Sequence, residues 1–158
     1  MFRLPNGTLA AFYGSCHSET PRPAPYLTGR WNVGLAVLPA FGQPFVRMPF
    51  GTVNPVPLNA NHTLGHAENP VVTWLPHRQL YVAVFDDLAS EADGFGLAQS
   101  ADGVHWTGAL VPVPGGARTP LALVLDPADP ANTTALVFFT RIDAAGYENV
   151  HMARFQLQ

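Results

Sequence analysis

The chain has 158 residues, enough for one domain with a sizeable core, and 47% of them are hydrophobic against 12% charged. A net charge of −3, with no lysine among the eight basic residues, leaves no basic patch for nucleic acid, and no apolar run reaches the 18 residues of a membrane helix. Sixteen prolines and fourteen glycines argue against long helices and for many short strands joined by tight turns.

A single cysteine, Cys16, excludes an internal disulfide framework and reads as a small semi-buried residue rather than a nucleophile. The N-terminus MFRLPNGT lacks the basic and apolar regions of a signal peptide. Asn6, Asn61 and Asn132 stand in N-x-S/T sequons, which suit a secreted protein but also arise by chance, so the cellular address stays open.

In chain order, the first predicted strand is LAAFY at 9–13, followed by a Pro-rich insertion around CHSETPRPAP and a second strand at GLA, 34–36. The middle stretch opens with a Glu-Asn-Pro turn that launches a strand at 71–74. Strands at 80–85 and 95–99 follow, and a turn at 100–103 precedes Trp106 and a fourth strand. The last stretch opens ARTPLA and carries apolar strands at 136–139 and 151–153.

These three stretches are copies of one unit. LAAFY, YVAVF and LVFF are equivalent, and so are the strands that follow them, at 34–36, 96–98 and 151–153. From Phe85 to Ala98 is 13 residues and from Phe139 to Ala153 is 14, but from Tyr13 to Ala36 is 23, which places an insertion of ten in the first copy. A repeat of about 50 residues with four strands per unit is the signature of a propeller blade. The expected fold is therefore all-β: about three four-stranded blades of a β-propeller with an incomplete ring, in one domain with blade-like repeats at about 1–60, 67–115 and 117–158. The alternative is a β-sandwich with accidental similarity between its parts.

Three blades do not close a ring. The chain is a fragment of a longer protein, or comes from a truncated gene model, or completes its ring as a homo-oligomer. Truncation is the favoured reading, because the first copy starts at the hairpin into its second strand and its own first strand is missing.

Several segments resemble the five-bladed propeller glycoside hydrolases of the family 43 and family 32 type. They are the blade opening AENPVV, the strand YVAVFDD, the segment FGLAQSADGVHW, the next opening ARTPLALV with LVFFTR, and GLAVLPAFGQPFVRM in the first copy. The resemblance implies hydrolysis of arabinose- or xylose-containing glycans, with inversion and without a cofactor. It also implies that Glu68, in the acid-x-Pro opening, is the general acid.

Glycoside hydrolysis needs a second carboxylate. Asp86 and Asp87 end the second strand of the middle copy and are the catalytic candidates to partner Glu68, although a solvated strand end is the expected setting for both. Arg118 occupies the opening equivalent to Glu68, while His66 and Trp31 complete the candidate substrate-binding set. Asp102 is expected to make an Asx-type turn beneath Trp106, with no part in catalysis. The six histidines share no metal-ligand spacing, and no nucleophile elbow or phosphate-binding Gly loop occurs. The expected partner is a carbohydrate. A catalytically silent carbohydrate-binding or interaction propeller is the second functional reading.

Overall fold

Alternating apolar residues bounded by Gly, Pro, Asn and Asp turns fold this chain into strands alone. The computed structural model describes residues 1–17, 30–49, 67–87, 94–113, 118–131 and 133–157, and these form three antiparallel sheets and no helix. The first sheet holds β1 (Phe2–Arg3), β2 (Leu9–His17), β3 (Arg30–Leu38) and β4 (Val46–Arg47). The second holds β5 (Ala67–Leu75), β6 (Leu80–Asp87), β7 (Gly94–Ser100) and β8 (Thr107–Pro112). The third holds β9 (Arg118–Leu125), β10 (Thr134–Ile142) and β11 (Glu148–Gln156). Within each sheet, neighbours in space are neighbours in sequence, which is the up-and-down meander of a propeller blade.

The register reproduces the internal repeat. Tyr13 lies opposite Gly34 and Phe85 opposite Gly96, while Phe139 lies opposite His151. In the first two sheets the aromatic ring lies over its cross-strand glycine, where a Cβ on Gly34 or Gly96 would fall 2.2 Å from a ring atom of Tyr13 or Phe85. In the third, the His151 ring takes that place and stacks on Phe139 at 5.9 Å.

Successive side chains of a strand point to opposite faces, and β6 uses both. Tyr81, Ala83 and Phe85 enter a core shared with Leu4, Ala10, Val33 and Leu35 of the first sheet. Val82 and Val84 enter a second core with Leu123, Ala135, Val137 and Phe139 of the third. The middle sheet is thus packed between the other two. Phe85, Phe95 and Phe139 are almost fully buried, each contributing about 1.5–3 kcal/mol of apolar transfer. At the first seam, the rings of Phe2, Phe12, Tyr81 and Trp106 meet at centroid separations of 5.3–6.5 Å. The Tyr81 hydroxyl donates to the Arg3 carbonyl, and Arg78 donates to the Leu157 carbonyl at 2.6 Å, so the middle sheet is tied to both of its neighbours.

Three expectations change. The first copy does carry the end of a first strand, because Phe2 and Arg3 pair with Ala10 and Leu9 through the Asn6-Gly7 turn. The Glu-Asn-Pro segment is not a turn before a strand but a bulge inside β5, which begins at Ala67. The third copy shows three strands among the described residues rather than four. Most of the Pro-rich insertion, from residue 18 to 29, lies outside the described residues, but its first two residues, Cys16 and His17, extend β2 and pair with Trp31 and Arg30.

Candidate functional site

The two X-x-Pro openings share one backbone device. Proline cannot donate to the ladder and disfavours a helical residue before it, so the chain must leave the regular register there. Asn69 precedes Pro70 with φ 49° and Thr119 precedes Pro120 with φ 26°. The expectation of an extended residue before the proline is therefore corrected: both adopt the left-handed region, which Asn tolerates and a β-branched Thr seldom does. In β5, two residues, Asn69 and Pro70, stand against one on β6, since Glu68 pairs with Asp86 and Val71 with Val84. β9 is likewise irregular where Pro120 and Arg118 pair with Phe139 and Thr140.

The extra residue has a geometric effect. Beyond the bulge, Val72 and Trp74 pack toward the first sheet, yet before it Ala67 does so. The alternation is shifted by one, which turns Glu68 to the same face as its partner Asp86, toward the third sheet. Directly opposed residues place their Cβ atoms about 5 Å apart, so two carboxylates stand side by side at this opening. Glu68 is half-buried, while Asp86 is 5% exposed and accepts a hydrogen bond from Asn69 Nδ2 at 3.1 Å. The solvated strand end expected for Asp86 is thus corrected to a buried carboxylate held by the bulge.

Asp87 pairs with Ala67, Arg118 opens β9 opposite Thr140, and Trp31 lies in β3 opposite Cys16. For these three the strand position alone is described, and His66 lies outside the described residues. The structure therefore brings Glu68 and Asp86 together. Asn69, which clasps Asp86, was not singled out from sequence, although the repeated E-N-P and R-T-P triplets mark the device that positions it.

Two further features lie away from this opening. A cavity of about 650 Å³ sits at the far end of β5, lined by Arg3, Trp74, Gln79 and Tyr81 among others. Six residues of strand, roughly 20 Å, separate Trp74 from Glu68, so this cavity is not the carboxylate site. At the turn after β7, Asp102 Oδ1 accepts from the Val104 and His105 amides at 2.8 Å, and Trp106 donates to the Gly103 carbonyl at 3.1 Å. Partial burial raises the Asp102 carboxyl, but hydrogen bonds from His105, Val104 and Ser100 outweigh it and hold the group well below the usual carboxylate range. This is the structural Asx turn expected. Among the described residues, no three His, Cys, Asp or Glu side chains gather as metal ligands.

No protein-family model matches the chain, and no curated protein matches it. Among solved structures it is similar to an α-L-arabinofuranosidase from Fusarium graminearum, a variant in complex with an iminosugar inhibitor, with a TM-score of 0.54 at 17% identity. The likeness covers 98% of this chain and 40% of that one. The fold is that of a glycosidase-type propeller, of which this chain spans less than half.

Proposed function

We propose that the chain carries the acid side of a glycoside-hydrolysing site on a propeller scaffold, acting on arabinose- or xylose-containing glycans. The carrying observation is Glu68 at the bulged opening of β5, beside a buried Asp86 clasped by Asn69. The segments similar to family 43 and family 32 enzymes support the reading, as does the fold shared with a glycosidase.

In this reading Glu68 protonates the glycosidic oxygen. Asp86 projects from the same face and the same side, so it positions the opening rather than attacking from across the sugar. Inversion requires carboxyl groups about 6.5–9.5 Å apart with water between them, so the base comes from another element. Asp87 remains the candidate within this chain. Arg118, His66 and Trp31 supply contacts to sugar hydroxyls and ring faces.

The test is release of 4-nitrophenol from aryl arabinofuranosides and xylosides by the chain and by Glu68→Gln. Loss of the general acid is expected to lower the rate by about 10²–10⁴-fold. Equal rates in two folded proteins would remove Glu68 from the mechanism.

A second reading, a carbohydrate-binding propeller without catalysis, is favoured by the cavity beneath Trp74, where an aromatic side chain and the amide of Gln79 share one wall. Calorimetric titration with arabino- and xylo-oligosaccharides, comparing Trp74→Ala with the parent, tests it. Unaltered binding in the variant would exclude the cavity.

A further inference from the structure

Each sheet has two kinds of face, and the repeat identifies them. In the middle sheet, the face of Phe85 and Ala83 packs backward on the first sheet, and the face of Val84 and Val82 packs forward on the third. By the shared register, Phe139 of the third sheet also faces backward, while Phe12 and Ala10 of the first face forward. Two faces are left over. The forward face of the third sheet carries Ala122, Val124, Leu136, Phe138, Val150 and Met152, in cross-strand rows. Val150 is 65% exposed, Met152 54% and Val124 42%. The backward face of the first sheet carries Leu9, Ala11, Tyr13 and Leu38, all half-buried. Glu148 and Arg154 rim the first of these patches, a pattern of apolar centre and polar border that marks an interaction surface.

We propose that the occupant of these faces is a second copy of this chain. The third sheet of each copy packs forward on the first sheet of the other, continuing across the contact the forward-on-backward packing that occurs twice within the chain. Propellers close with four to eight blades, and with three sheets per chain only two copies fall in that range. Such a head-to-tail contact, applied twice under a two-fold axis, closes on itself and leaves no open face. Three strands about 4.8 Å apart and about nine residues long present roughly 430 Å² per face, so four faces bury about 1,700 Å², the size of a standard stable interface.

The inference rests on the packing and not on the hydrolase reading, but it deepens that reading. The two-fold axis would run along the ring axis, placing Glu68 of the partner subunit on the opposite side of the same channel. That supplies a second carboxylate facing the first, which no residue beside Glu68 provides.

The test is light scattering coupled to size exclusion on the purified chain, across micromolar to hundred-micromolar concentrations. Twice the monomer mass is expected, with Val150→Glu and Met152→Glu each converting it to a monomer of unchanged circular dichroism. Phe41→Ser, at a fully exposed residue off this face, is expected to leave the dimer intact. A monomer at every concentration overturns the proposal. Two singly substituted chains, Met152→Cys and Ala11→Cys, fix the mode: on mixing and oxidation, cross-links between the two kinds of chain are expected to dominate. Met152→Cys chains linking mainly to one another would show a face-to-face dimer and overturn the head-to-tail arrangement. Neither result depends on glycosidase activity.

Discussion

Gly96→Ala isolates the close approach on which the register rests. A Cβ at Gly96 falls 2.2 Å from both Cε2 and Cζ of Phe85, whereas ordinary contact begins at 3.4 Å, so about 1.2 Å must be found. Phe85 is fully buried between the first and second sheets, and its ring has nowhere to swing. Overpacking of this kind costs about 1–3 kcal/mol, and the loss of glycine freedom in the unfolded chain returns about 0.4–1. A net loss of about 1–2 kcal/mol lowers the melting temperature by about 2–8 °C for a domain of this size. Thermal unfolding followed by circular dichroism measures it. Gly14→Ala, where a Cβ meets nothing within 4 Å, is the matched control and is expected to be neutral or slightly stabilising. Gly34→Ala meets the ring of Tyr13 just as closely, but Tyr13 is half-exposed and can tilt, so its cost is expected to be the smaller. The coupling is tested by Phe85→Leu, which removes the obstructing ring. The Gly96→Ala penalty is expected to shrink in that background. A Gly96→Ala melting point equal to the parent's, or a double mutant with strictly additive losses, would refute the steric reasoning.

The acid limb of stability follows from the turn carboxylates. Hydrogen bonds from the hydroxyls of Thr134 and Thr133 and the amides of Ala131 and Thr133 lower Asp129 to about 2, and Asp102 is also depressed. An unfolded Asp titrates near pH 3.9, so these groups stabilise the fold above that pH and the contribution is lost as pH falls toward 2. Asp129→Asn is expected to flatten the fall in melting temperature between pH 4 and pH 2; an unchanged slope would show that other carboxylates carry it. Tyr81→Phe removes the hydroxyl that holds the Arg3 carbonyl and is expected to cost about 1 kcal/mol, seen as a lower denaturation midpoint at unchanged m-value. Asn69→Ala removes the donor to Asp86 and is expected to cost about 1–3 kcal/mol, because the carboxylate it leaves behind is buried.

The repeat was legible in the sequence because the aromatic-over-glycine pairs recur at nearly constant spacing, so Tyr13, Phe85 and Phe139 fall in one register. Asp102 and Trp106 were legible for a similar reason, since an Asx turn is local and its partners lie within three residues. The candidate site was less so. Whether Glu68 faces Asp86 depends on a one-residue bulge, and a slip of one residue turns every side chain of that stretch to the other face. Nothing in E-N-P reports that slip, because proline ordinarily makes its predecessor extended and here Asn69 takes the left-handed region instead. The burial of Asp86 was hidden for a related reason. An Asp-Asp pair at a strand end reads as solvated until the neighbouring sheet is placed over it.

The meander also bears on how the chain acquires its structure. Every strand pairs with the one before it, so each sheet assembles from local hairpins and the loop-closure entropy of distant pairing is small. Low contact order favours fast folding for each sheet taken alone. The middle sheet is the exception in stability, since β6 divides its side chains between two cores and neither face is dry until both neighbours have docked. Refolding should therefore show a rapid gain of strand signal and a slower phase in which tryptophan emission changes as Trp106 is enclosed by Phe2 and Phe12.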